Sequence, residues 1–103
     1  MATKQSSVDY IMEQMGGAGV ITARKMFGEY GVYCDGKIVS LVCDDMLFMK
    51  PTEAGRKYIG APEMAPPYPG AKEYFLIVDV DDSGWLSELV RVSARELKIR
   101  KKK

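Results

Sequence analysis

The chain has 103 residues, 47% hydrophobic and 28% charged, which is the size and composition of a single globular domain. It contains no histidine, so the most frequent general base and the most frequent metal ligand are both missing. No apolar run approaches the roughly 20 residues that cross a bilayer, and residues 1–7 lack the apolar core of a secretory signal. We therefore expect a cytoplasmic protein without metal or cofactor.

Charge is unevenly distributed, although the net charge is only +1. Residues 91–103 carry a net charge of +6, with Glu96 as their one acid, and leave −5 for residues 1–90. Such a segment suits a polyanion or an acidic partner surface, but it also suits a solvated helix end whose cations oppose the negative pole of the helix dipole. The bases of this segment are Arg91, Arg95, Lys98, Arg100, Lys101, Lys102 and Lys103.

The first half of the chain predicts one helix followed by an antiparallel meander. The apolar spacing from Val8 to Met15 indicates a short amphipathic helix, with Ser6 as its N-cap, that ends at Gly16-Gly17. Turn signals at Asp35-Gly36 and Asp44-Asp45 then join strands within a segment rich in aromatic and β-branched residues. The expected strands are Tyr30–Cys34, Lys37–Cys43 and Met46–Lys50, with Thr22–Phe27 leading into the first.

The second half predicts two helices around a proline-rich loop and one strand. Thr52 opens a helix over Glu53–Ile59, which Gly60 closes. Prolines make residues 62–70 an extended loop, and Tyr74–Val80 is an apolar strand. Asp81, Asp82 and Ser83 provide capping groups for a last helix that runs towards Lys98, with Trp85 as a core anchor.

These elements predict an α+β fold in which helices flank an antiparallel sheet. The expected order is α-β-β-β-α-β-α, with one extra short strand allowed before the last strand. Residues 1–98 are expected to form the domain, and residues 99–103 a basic tail.

Neither cysteine nor carboxylate patterns indicate catalysis. Cys34 and Cys43 lie about 20 Å apart along the predicted hairpin, too far for a disulfide, and are expected to be free, small hydrophobic residues. The pair Asp44-Asp45 fits a turn better than an acid–base site, and Lys25 with Glu29 gives no activated nucleophile. We expect no catalytic residues.

Three motifs resemble the N-terminal domain of the TfoX/Sxy family, in the family's order and across roughly residues 8–97. One lies in Arg24–Tyr33, a second in Leu47–Lys50, and a third in Pro66–Phe75, and the helix from Trp85 fits the last element of the family. Glu29 stands where the family often has glycine. The motif residues are Met26, Phe27, Gly28, Tyr30, Gly31, Pro67, Tyr68, Pro69 and Gly70.

The resemblance implies a secretion-chaperone-like fold and a regulatory function. TfoX-like proteins are associated with natural competence, as coactivators of a transcription factor of the cyclic-AMP-receptor type. Longer members carry a second, helix-rich domain, which we expect this chain, ending at Lys103, to lack.

The leading hypothesis is a non-enzymatic regulatory domain with a protein partner, such as a transcription factor, and weak non-specific DNA contacts. The bases from Arg91 onward, with Arg24 and Lys25, would contact DNA or partner, although Arg24 and Lys25 also suit a structural role beside Glu29 or at a helix end. The alternative is a protein-interaction module or homodimer that uses Met64, Pro67 and Tyr68, unless that loop only covers a sheet edge. A small-molecule site has only tyrosines in its favour: Tyr30, Tyr33 and Tyr68.

Overall fold

The computed structural model describes residues 4–26, 29–78 and 80–97. Its elements are α1 Gln5–Gln14, a 3₁₀ turn Gly16–Ala18, β1 Ile21–Met26, β2 Glu29–Cys34, β3 Lys37–Cys43, β4 Met46–Met49, α2 Glu53–Ile59, β5 Glu63–Ala65, β6 Tyr74–Ile77 and α3 Ser83–Glu96. Within these residues, no helix combines the length and apolar character that crossing a bilayer requires.

The strands form one antiparallel sheet of six strands in the order β1-β2-β3-β4-β6-β5. The predicted α+β class is confirmed, with two strands more than the basic predicted order. The segment expected to lead into the sheet is itself the edge strand β1, whose polar sequence hides the usual alternation. Part of the predicted loop forms β5, because residues 63–65 lie between Pro62 and Pro66 and keep N–H groups that can pair with β6.

The hairpin turns form where the sequence predicts them. Asp35 and Gly36 both have positive φ, at 51° and 85°, and Asp44 and Asp45 follow the same pattern at 55° and 63°. Two successive positive φ values match the twist of the flanking strands, which explains the preference for aspartate and glycine in such turns.

Capping follows the prediction in two of the three helices. The Thr52 hydroxyl accepts the Gly55 N–H at 2.9 Å, and the Asp82 carboxylate accepts the Trp85 N–H at 3.1 Å. The prediction that Ser6 caps α1 is wrong, because Lys4 is the N-cap residue and makes no side-chain cap. The Lys4 N–H instead donates to the Asp45 carboxylate at 2.9 Å, which ties the start of α1 to the β3–β4 turn.

All three helices pack on one face of the sheet. Val8 and Ile11 of α1 and Leu86, Leu89 and Val90 of α3 share one buried cluster with sheet residues. Those sheet residues belong to one face by register: Val32, Val42, Leu47, Met49, Phe75 and Ile77. Each of these side chains contributes roughly 1.5–3 kcal/mol by burial.

The opposite face carries Leu41, Phe48 and Leu76, which pair across β3, β4 and β6. We call it the helix-free face, since each described helix packs on the other side. The arrangement is a two-layer sandwich with one layer of helices.

Gly55 sets the distance between α2, α3 and the sheet. A β-carbon at this position would lie 2.8 Å from Thr52 Oγ1, 3.1 Å from Ser93 Oγ and 3.2 Å from the Phe75 ring. Thr52, Ser93 and Phe75 are themselves buried, so none can move aside freely. Glycine is therefore required by close packing, although it weakens the helix.

We expect Gly55→Ala to lower the free energy of unfolding by about 1–3 kcal/mol, because overpacking outweighs the gain in helix propensity. Denaturant unfolding of the full chain measures this difference. Gly84→Ala is the matched control, since its β-carbon meets only an Asp82 oxygen at 3.8 Å. Equal stability of the Gly55 variant and the parent would contradict the packing argument.

Candidate functional site

The basic residues of α3 have unequal freedom. The Arg91 guanidinium forms an ion pair with Glu88 and donates to the Gly17 carbonyl oxygen at 2.7 Å. It thereby links α3 to the 3₁₀ turn that follows α1. Arg95 lies one turn later and is exposed. Among the described basic residues of α3, Arg95 is thus the one without a hydrogen bond or ion pair to another described residue.

The remaining predicted bases lie on β1 or outside the described residues. Arg24 pairs with Gly31, on the helix-free face, whereas Lys25 pairs with Tyr30, on the face towards the helices. Both side chains are exposed at the sheet edge. The structure therefore separates Arg24 from Arg95, which belongs to the helical layer. Lys98, Arg100, Lys101, Lys102 and Lys103 lie outside the described residues.

The motif residues mostly serve packing. Tyr30 is buried, and its hydroxyl donates to Gln5 Oε1 at 2.9 Å, while Gly31 is buried in β2. Tyr30 is therefore part of the hydrophobic core. Met26 lies at the end of β1, and Phe27 and Gly28 lie outside the described residues.

The proline-rich segment combines buried and exposed positions. Met64 is half-buried in β5 opposite Phe75, and Pro67 is buried. Tyr68 is exposed, as are Pro69 and Gly70. The segment both supplies an edge strand and presents a tyrosine to solvent.

Both cysteines are free and buried. Burial is the main cause that raises the pKa of the Cys34 thiol, and it raises the pKa of Cys43 to about 11 with help from Glu29 and Asp44. At neutral pH both side chains are thiols, so neither is an activated nucleophile. Within the described part of the chain, His, Cys, Asp and Glu form no group of three that could hold a metal ion.

A groove between α2 and α3 is the site that sequence reasoning missed. It has a volume of about 540 Å³, and its apolar floor is formed by Ala54, Tyr58 and Val92. Lys57 and Arg95 are the two cations of its lining. Both cations are exposed, and neither is in an ion pair with a described carboxylate.

The acid of this groove, Glu96, is occupied by backbone groups. Its carboxylate accepts the Ala54 N–H at 2.9 Å and the Glu53 N–H at 3.0 Å, both at the start of α2. These two hydrogen bonds lower the pKa of Glu96, to which the positive charge of Lys57 contributes. Lys57 thus interacts with Glu96 at long range, while both cations of the lining remain exposed and outside ion-pair distance of a described carboxylate.

Trp85 holds Tyr58, one of the groove residues, in place. The Tyr58 hydroxyl donates to the Trp85 carbonyl oxygen at 3.0 Å, and the two rings lie 5.6 Å apart, centroid to centroid. Trp85 is half-buried against the core, which confirms its predicted anchoring position. The sequence does indicate one side of the groove, because Val92, Arg95 and Glu96 stand at helical spacing on α3. The residues of α2 that complete the groove are brought next to them only by tertiary packing.

Comparison with known proteins decides the family. The model of the TfoX N-terminal domain matches residues 13–97. The chain belongs to the TfoX N-terminal domain family. A relative from Spirochaeta aurantia, described as an uncharacterized 12.7 kDa protein in the trpE 5′ region, is 40% identical over 98 residues, which are 94% of this chain and 85% of the relative. The resemblance inferred from the three motifs is confirmed.

This TfoX-family domain should lose stability in a pH-dependent way when Glu96 is replaced. A lowered pKa in the folded state stabilises the protein above the unfolded pKa of about 4.5, and this contribution disappears as pH falls through the folded value. We expect Glu96→Gln to have a lower Tm than the parent at pH 7, and the gap to close progressively below pH 4.5.

Thermal unfolding followed by circular dichroism at a series of pH values measures this gap. Glu73→Gln, at an exposed position, is the control for removal of one negative charge. A gap that stays constant down to low pH would show that the Glu96 carboxylate does not stabilise the start of α2 as a charge.

Proposed function

We propose that this chain is a non-catalytic regulatory domain that acts by binding an acidic segment of a protein partner in the groove between α2 and α3. A transcription factor is the class of partner that the family resemblance implies. The observation that carries the proposal is the placement of Lys57 and Arg95, two exposed cations that form no ion pair with a described carboxylate, beside apolar lining residues.

The charges of the groove favour an acidic occupant. Glu96 lies in the same lining and stays ionised while its carboxylate accepts two backbone N–H groups, so the two cations and one anion of the lining leave a net positive charge. Tyr58 and Val92 offer an apolar floor where one aromatic or leucine side chain of the partner can be buried. Charged groups at the rim guide association, and the buried anchor provides most of the affinity.

We expect a glutamate-rich peptide with one central leucine to bind the full chain and to shift the Val92 methyl signals in its NMR spectrum. The double variant Lys57→Glu with Arg95→Glu should weaken this binding by about tenfold or more, because two attractions become repulsions. Fluorescence anisotropy of the labelled peptide gives the dissociation constants.

A matched double variant, Lys25→Glu with Lys72→Glu, makes the same change in net charge at exposed sites outside the groove lining. It should retain most of the affinity. If both double variants weaken binding equally, or if a peptide with glutamine in place of glutamate binds equally well, the groove is not an acidic-peptide site.

A second candidate function is non-specific contact with DNA through the basic carboxyl-terminal segment. It is supported by the net charge of +6 on residues 91–103 and by the exposed Arg95 within α3. Arg91 is engaged by Glu88 and Gly17, so the proposal assigns phosphate contacts to Arg95 and the bases that follow it. Contacts of this kind carry no base readout.

Binding to a mixed-sequence duplex should then weaken as salt rises. Removal of residues 100–103 should reduce the slope of log K against log salt by about 0.9 for each phosphate that the shortened chain no longer neutralises. Titrations at several salt concentrations, with and without these residues, measure the slopes. Binding that is insensitive to salt, or unchanged by the deletion, would contradict DNA binding through this segment.

A further inference from the structure

One continuous row of residues crosses the helix-free face from edge to edge. The register of the six strands places its members directly opposite one another on successive strands, over about 24 Å at the usual strand spacing. The row begins with a cation, continues with a glycine and three large apolar residues, and ends with an acid. In order from β1 to β5 these are Arg24, Gly31, Leu41, Phe48, Leu76 and Glu63.

The face around this row is more apolar than an isolated domain needs. Gly31 and Phe48 are buried in the single copy, but Leu41 and Leu76 remain partly exposed. Met46, opposite Cys43, is 43% exposed, and Val78, two residues beyond Leu76, is 77% exposed. Apolar exposure grouped on one face of a sheet is typical of an interaction surface.

We propose that this face pairs with the same face of a second copy of the chain. The two helix-free faces stack on each other and are related by a two-fold axis that lies between the sheets and runs parallel to the strands. This axis places β1 of each copy over β5 of the other copy. Each row then lies over its partner in reverse order. Arg24 meets the partner's Glu63 at both ends of the interface.

The apolar positions also match in this arrangement. The partly exposed Leu76 lies over the partner's Gly31, which is buried within its own copy and has no side chain to obstruct the approach. At the centre of the row, the partly exposed Leu41 lies over the partner's Phe48, which is itself 2% exposed. The row is therefore complementary to its own reverse in charge, and its two partly exposed leucines supply the apolar contacts of an isologous interface.

The balance of charge argues against nucleic acid as the occupant of this face. The row holds one cation and one acid, so it offers no net attraction to a polyanion. Arg24 and Glu63 are both exposed, and neither forms an ion pair with a described residue in the single copy. Both charges are free to pair between copies.

Charge reversal at the two ends tests this pairing in the full chain. Sedimentation velocity from micromolar to about millimolar concentration at low salt should show a monomer–dimer equilibrium. Arg24→Glu alone and Glu63→Arg alone should each raise the dissociation constant by about fivefold or more, because each creates two like-charge contacts per dimer. The double variant, Arg24→Glu with Glu63→Arg, should restore the affinity of the parent.

Lys25→Glu is the matched control, since it makes the same charge change one residue along β1 but on the opposite face. It should leave dimerisation unchanged. A chain that remains monomeric over the whole range overturns the proposal. If Lys25→Glu weakens dimerisation as much as Arg24→Glu does, the copies pair through the edge of β1 and the proposal is wrong. It is also wrong if the double variant dimerises no more tightly than the single variants.

Discussion

Placement of all three helices on one face of the sheet is the constraint on which the rest of the molecule depends. It produces one hydrophobic core, in which residues of α1 and α3 meet alternate residues of the strands. Side chains alternate along a strand, so every buried position implies a neighbour on the other face. In this chain several of those neighbours, among them Leu41 and Leu76, are apolar. The helix-free face is thus a consequence of the sequence pattern as well as of the topology.

The contact between α2 and α3 links stability to the proposed binding groove. Gly55 allows α2 to approach Ser93 and Phe75 closely, and Glu96 reaches back from α3 to the first N–H groups of α2. These contacts fix the position of Lys57 relative to Arg95. Glu96 is the acid in the groove lining, and its carboxylate also accepts the first N–H groups of α2. One side chain therefore both stabilises the start of α2 and reduces the positive charge of the groove.

Short-range sequence patterns predicted much of this fold, whereas the pairing of segments that are distant in the sequence could not be predicted from them. The aspartate turns and the Thr52 and Asp82 caps depend on residues a few positions apart. By contrast, Arg91 binds the Gly17 carbonyl oxygen 74 positions away, which no local pattern indicates. Arg24 and Glu63 fall into one row only once the register of six strands is known. The groove escaped prediction for the same reason, because its two walls come from separate helices.

The central claim is that the helix-free face is an interface between two copies. In one copy Gly31 and Leu76 are three strands apart, about 14 Å, which is beyond the range of a nuclear Overhauser effect. In the proposed dimer they face each other. An isotope-filtered NOESY spectrum of a mixture of labelled and unlabelled chain should show a cross-peak between the Leu76 methyl groups and the Gly31 α-protons. Intermolecular cross-peaks confined to the helices or sheet edges, or none in a concentrated sample, would contradict the claim.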